Sequence, residues 1–221
     1  MTDGALSSAQ RTLATEIDGL QALSDALGDN FEQAVTMLAE ISGRVIVSGM
    51  GKSGHIGSKI AATMASTGTP AQFVHPGEAS HGDLGMITSN DAVLALSWSG
   101  ETAELANLID YAKRFSIPLI ALTSGADSLL GRQANICITL PKSTEACPNG
   151  LAPTTSTTMQ LALGDALAIA LLEKRKFSSA DFKNFHPGGK LGAGLVLVHD
   201  VMHSGAALPL APVGTRMDEA L

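Results

Sequence analysis

Between Leu13 and Ile41 the apolar residues Leu13, Ile17, Leu20, Leu23 and Leu27, then Phe31, Val35, Leu38 and Ile41, recur every three or four positions. That spacing predicts two amphipathic helices, and Gly28-Asp29-Asn30 between them predicts the turn of a helical hairpin. Beyond Arg44 the period changes. Val45–Val47, Ala71–His75, Ala92–Leu96, Leu119–Thr123 and Ile136–Leu140 are short, β-prone and almost continuously apolar. Strands buried on both faces of a parallel sheet read this way. Helical patterns lie between several of them, over His55–Ser66, Thr102–Arg114 and Ser128–Ala134, and a long apolar helix is expected from Thr155 to Arg175. The alternation predicts an α/β fold with a doubly wound parallel sheet. After His186-Pro187-Gly188-Gly189 come a strand-like Leu195–Val198, then Val201-Met202-His203, a proline-containing loop and the beginning of a helix at Met217. The chain therefore reads as one main domain over residues 1–200, with 201–221 a linker or the start of a further module.

Composition narrows the class. With 221 residues and 45% hydrophobic content the chain can bury one good core. A net charge of −7, with no Lys/Arg block, sets the overall field against nucleic acid, so any phosphate must be held by local groups. Cys137 and Cys147 are too few for a disulfide framework and fit a reducing cytoplasm. Asp3, Glu16 and Asp18 interrupt the first twenty residues, so no signal peptide is expected. The greasy stretch Leu161 to Leu172 is broken by Gly164 and Asp165 and is too short to span a bilayer, so no membrane partner is expected.

Two apolar runs end in turns of small and hydroxylated residues. Val45-Ile46-Val47-Ser48-Gly49-Met50 runs into Gly51-Lys52-Ser53-Gly54-His55, and Ala92–Leu96 runs into Ser97-Trp98-Ser99-Gly100-Glu101-Thr102. Strand, small-residue turn, then helix presents free N–H groups and a positive dipole end to an anion. A phosphate-bearing ligand is the expectation, held by Gly51, Ser53, Ser97, Ser99, Gly100 and Thr102. Gly49, Gly51 and Gly54 also satisfy G-x-G-x-x-G, but Lys52 sits inside the loop and no carboxylate is clearly placed for a ribose, Glu78 being the nearest. A P-loop fails because the upstream glycine is missing. For Ser97–Thr102 the competing reading is a plain helix cap, since Ser or Thr with Glu three residues on is a capping box. The cluster Thr154-Thr155-Ser156-Thr157-Thr158 poses the same choice at the start of the long helix.

The segments GMGKSGHIG, VHPGEASHGDLGM, SWSGET, EACPNGLAPTTSTT and FHPGGKLG, in this order, resemble the sugar isomerase (SIS) domain of arabinose 5-phosphate isomerases that supply the lipopolysaccharide sugar Kdo. The likeness runs from about Val45 to Met202. It implies an SIS-type three-layer α/β/α sandwich with a five-stranded parallel sheet behind the N-terminal hairpin. It also implies interconversion of ribulose 5-phosphate and arabinose 5-phosphate without an obligatory cofactor, and a homo-tetramer. Asp200-Val201-Met202-His203 is similar to the junction into a CBS pair. Three positions depart from the pattern: Trp98 where Asn or Gln is commoner, Thr144 where Lys is common, and Ala193 where Arg is usual. The first bears on how a sugar phosphate packs against the serine loop.

Aldose–ketose isomerisation moves a proton between C1 and C2 through an enediol and needs a base that reaches both carbons. A carboxylate serves if partial burial raises its pKa. Glu145, by position and by the resemblance, is the first candidate; Glu104 is the second, with a solvated helix face as its competing reading, whereas Glu101 reads as a cap. His81 and His186, in glycine-rich loops, are candidates for proton relay and oxygen polarisation. The resemblance gives His186 a place in a neighbouring subunit's site. Lys52 would neutralise phosphate or a developing enediolate, and Thr154 would bind substrate. His75, His81, Cys147 and His186 could hold an opportunistic, inhibitory zinc, though their spacing is not compact and the reaction requires no metal. The rival readings are a sugar-phosphate sensor, which needs the phosphate loops but not Glu145 and His186 together, and another SIS sugar-phosphate isomerase.

Overall fold

Helices α1 (Ala5–Ala26) and α2 (Asp29–Glu40) form the expected hairpin, with the Gly28 turn between them. The computed structural model describes residues 4–185, 198, 202–208 and 210–220. Five strands follow: β1 (Val45–Gly49), β2 (Ala71–Phe73), β3 (Ala92–Leu96), β4 (Leu119–Thr123) and β5 (Ile136–Thr139). All pair in parallel, in the order β2-β1-β3-β4-β5. Every residue of β1, β3 and β4 is buried, which is why those runs carry no polar alternation.

Successive side chains on a strand point to opposite faces, and the two faces bury different helices. Val47, Leu94, Leu96, Ile120 and Leu122 pack with residues of α1, α2, α3 (Gly51–Ser66) and α7 (Thr155–Lys174). Ile46, Val93, Ala95 and Ala121 pack with α4 (Pro76–Ala79), α5 (Ala106–Arg114) and α6 (Leu129–Gln133). The architecture is the three-layer α/β/α sandwich that the sequence predicts. Because β1 lies between β2 and β3, the chain winds one way after β1 and the other way after β3. In such sheets the crevice outside the carboxyl ends of the two strands is where ligands bind.

Several boundaries differ from the sequence reading. Helix α1 starts at Ala5, ahead of the first periodic leucine, because Ala5–Arg11 holds no helix breaker. Helix α3 starts at Gly51 rather than His55, so Met50 alone joins strand to helix and the glycine loop is the helix's own first turn. Unforeseen short turns, α4 and Asp83–Met86, occupy the segment after β2.

Helix α7 is long and apolar enough to cross a membrane by length and composition, yet Leu163, Leu167 and Leu171 are at most 1% exposed within the fold. Gly164 lets it press against Ile60 of α3, and Lys59 pairs with Asp165 beside that contact. Gln160 is fully buried on the same helix, and neither amide atom has a hydrogen-bond partner among the described residues. A buried unpaired amide costs about 1–3 kcal/mol. Gln160→Met, close in volume and without the amide, should therefore raise the unfolding free energy by roughly 1–2 kcal/mol in denaturant titration. An unchanged or lowered value would mean that the amide is satisfied in solution.

Residues 1–177 form one compact unit and 178–221 a second. Within the second, α8 (Ser179–Phe185) begins beside a mutual cap: the Ser178 N–H and hydroxyl donate to Asp181 at 2.8 and 2.6 Å. Arg216 binds Asp218 through two hydrogen bonds of 3.0 Å just ahead of a helical turn, Met217–Ala220. The strand expected over Leu195–Val198 lies almost wholly outside the described residues.

Candidate active site at the carboxyl edge of the sheet

The loop after β3 folds around its own hydroxyls. Ser97 Oγ accepts from the Gly100 N–H at 3.0 Å and lies 2.8 Å from Thr102 Oγ1, and Ser99 Oγ accepts from the Glu101 N–H at 3.2 Å. Gly100 has φ +71°, a left-handed conformation that few side chains adopt, and a Cβ there would run into Ser128. Ser97 is buried and shapes the loop, whereas Ser99 is exposed and Thr102 half-buried. Glu101 is a cap, as expected, but of a different helix: its Oε1 accepts from the Leu129 N–H at the start of α6, 2.8 Å away. Thr102 makes no side-chain cap to the helical turn that follows it, so the capping-box reading fails there.

At the neighbouring strand, Gly51 (φ +58°) opens α3, and Met50 at its N-cap makes no side-chain cap. The first N–H groups of a helix have no intrahelical acceptor. Gly51, Lys52 and Ser53 thus line a positive helix end beside the serine loop, with Lys52 exposed.

Glu145 stands at the start of α7. Its Oε2 accepts from the Thr154 N–H at 2.7 Å, the Thr154 hydroxyl at 2.9 Å and the Ser156 N–H at 3.4 Å. Thr154 Oγ1 also accepts from the Ala146 N–H at 2.9 Å. Thr154, expected to touch substrate, holds this glutamate. The expectation that burial would raise the pKa of Glu145 is overturned. Burial does push it up, but the hydrogen bonds from Ser156 and Thr154 together outweigh that and hold the carboxyl below the usual glutamate range. Glu145 is ionised at neutral pH, and its bonds from the Thr154 N–H, the Thr154 hydroxyl and the Ser156 N–H fall on Oε2. The loop after β5 and the loop after β3 follow carboxyl ends of strands in one parallel sheet, so Glu145 and Ser97–Thr102 share one edge of it.

The remaining candidates separate by face. His81 and Glu104, both exposed, belong to elements on the α5 face, tied together where Asn107 Nδ2 donates to Ser80 Oγ at 2.9 Å. His75 caps α4, its Nδ1 accepting from the Gly77 N–H at 3.2 Å. Backbone N–H groups of Ala152, Leu151 and Asn149 hold the Cys147 thiol below its ordinary pKa. Among the described residues no three His, Cys, Asp or Glu side chains come together to hold a metal, and His186 lies outside those residues. Several supporting groups carry no sequence signal. The Trp98 carbonyl accepts from the Ser124 N–H and hydroxyl, both at 2.9 Å, and from the Thr123 hydroxyl at 3.2 Å. The nearest hint was Ser124-Gly125 directly after β4.

An α/β sandwich with an open helix end, a hydroxyl loop at the topological switch and a capped carboxylate on the same edge defines a class of anion-binding sites with a carboxylate at hand. Residues 37–170 match the SIS domain model, and the chain belongs to the SIS domain family. It is 55% identical over 97% of its length to the arabinose 5-phosphate isomerase KdsD of Pseudomonas aeruginosa, and 52% identical over 96% to that of Yersinia pestis. It spans 66% and 65% of those two relatives' lengths. Among solved structures, a protein of E. coli CFT073 in complex with A5P superposes with a TM-score of 0.79 at 40% identity, over 81% of this chain and 95% of that one.

Proposed function

We propose that this chain interconverts D-ribulose 5-phosphate and D-arabinose 5-phosphate, the entry reaction to the lipopolysaccharide sugar Kdo, and that it does so in the cytoplasm. The observation that carries the reading is the presence of an uncapped helix end, a serine loop and an ionised glutamate on one edge of one sheet, in a chain about half identical to KdsD proteins. The α3 N-terminus, Ser99 and Thr102 hold the phosphate, with Ser97 and Gly100 shaping their loop. Glu145 removes a C1 proton from the ketose. The electron pair forms the C1–C2 enediolate, the carbonyl oxygen on C2 gains a proton, and return of a proton to C2 with loss of that on O1 gives the aldose. Lys52 stabilises the developing enediolate charge. His81 and His186 move protons to and from the oxygens, His186 from a neighbouring subunit, and Glu104 is the second candidate for the base.

The division of candidates between two faces of the sheet supports a site assembled from more than one protomer, in a homo-tetramer. So does α1, where Leu6, Leu13 and Ile17 form a stripe 73%, 60% and 63% exposed. Residues 201–221 are read as the opening of a CBS module on the likeness of Asp200–His203.

The test is incubation of the purified chain with ribulose 5-phosphate in deuterated water. Arabinose 5-phosphate carrying deuterium at C2 is the expected product. Sugar-phosphate binding without turnover would replace this reading with a sensor.

A further inference from the structure

Trp98 is the one tryptophan of the chain and sits between Ser97 and Ser99, inside the loop that the proposed function assigns to phosphate. Its backbone is held firmly, because the carbonyl takes three hydrogen bonds from Thr123 and Ser124. By the two-residue alternation of a strand its side chain follows Leu96, and it packs against the apolar cluster that Leu96 shares with α3 and α7. The indole is half-buried. It packs partly into the core and stays partly exposed, two residues beyond the last residue of β3. The positive end of α3 and the Glu145 cap of α7 belong to the two helices packed on that same face.

We propose that Trp98 is a specificity-determining residue of the site: the exposed part of its indole is the wall against which the carbon chain of the sugar phosphate packs. Sugar C–H groups lie well on an indole, which offers a large rigid surface at little entropic cost and one N–H donor for a hydroxyl. The phosphate grip beside it comes from backbone and hydroxyl groups and is indifferent to what the phosphate carries. Trp98 reads the sugar, and the loop reads the anion. This inference rests on the sugar-phosphate reading and names the group that sets its selectivity.

Tryptophan emission of the intact protein reports on it directly. Titration with arabinose 5-phosphate should change the emission saturably, with a midpoint matching the dissociation constant from calorimetry, whereas inorganic phosphate should compete for the site and leave the emission nearly unchanged. Trp98→Asn should raise KM for both pentose phosphates by roughly three- to tenfold, with kcat altered less and inhibition by inorganic phosphate unaltered. Trp98→Phe keeps a ring there and should hold KM within about threefold of the parent, which separates loss of the wall from loss of the fold. Calorimetric binding of arabinose 5-phosphate with unchanged emission, or a parental KM in a folded Trp98→Asn variant, overturns the inference and leaves the proposed function standing. Absence of both binding and turnover in the parent overturns the two together.

Discussion

Glu145→Gln should lower kcat by roughly 10²- to 10⁴-fold while KM for ribulose 5-phosphate stays within about threefold, because a general base contributes that much to proton transfer and little to ground-state binding. The amide cannot accept the C1 proton, and the groups that hold the phosphate are untouched. The same substitution tests the structural role of the residue. The carboxylate accepts two N–H groups at the start of α7, where a negative charge is worth about 0.3–1 kcal/mol. Its folded pKa lies below the ordinary value of 4.5, so this stability is fully present above that value and is lost as pH falls through the folded pKa. The difference in melting temperature between parent and variant should therefore be largest at neutral pH and close on acidification. A variant that loses stability at neutral pH but keeps kcat would leave Glu145 as a helix cap and move the base to Glu104.

Gly100→Ala should produce the second large effect, a loss of about 2–4 kcal/mol in stability together with a rise in KM of at least about tenfold. Two penalties combine. Alanine at φ +71° costs about 1–2 kcal/mol in backbone conformation. The new methyl group would also lie 2.6 Å from Ser128 Cβ and 2.9 Å from Thr123 Oγ1, closer than such atoms approach, so the loop or α6 must shift. A shift breaks the bonds that couple the two, from the Leu130 N–H to the Gly100 carbonyl at 3.0 Å and from the Leu129 N–H to Glu101 at 2.8 Å. Because these residues aim Ser99 and Thr102, the injury reaches phosphate binding as well as folding. Equilibrium denaturation and steady-state kinetics on one preparation measure both, and a parental value for either would show the loop to be slack.

Much of the fold was legible because it is written in local periodicity. Ala92–Leu96 and Leu119–Thr123 form strands with the bounds their apolar runs predict, since a strand between two helical layers needs both faces apolar. Helix boundaries fared worse at glycines. Gly51 and Gly54 read as a loop, yet both belong to α3, because a helix beginning one residue after a strand needs a small, left-handed-tolerant opening. The candidate site was legible as a set of loops, and its internal roles were not. Ser97 and Thr154 carry the same hydroxyls as Ser99 and Thr102, but the first is turned inward and the second is bonded to Glu145.

By itself the chain determined the order of strands and helices, the two hydroxyl-rich turns and the family, all of which depend on residue types at short spacing. The tertiary structure alone decided that Glu145 is held ionised rather than neutral, that Glu101 caps α6 instead of its own helix, and that Trp98 faces α3 and α7. Each of those outcomes turns on which backbone N–H or apolar surface arrives from a distant part of the chain, and such partners are chosen by the packing of the whole sheet.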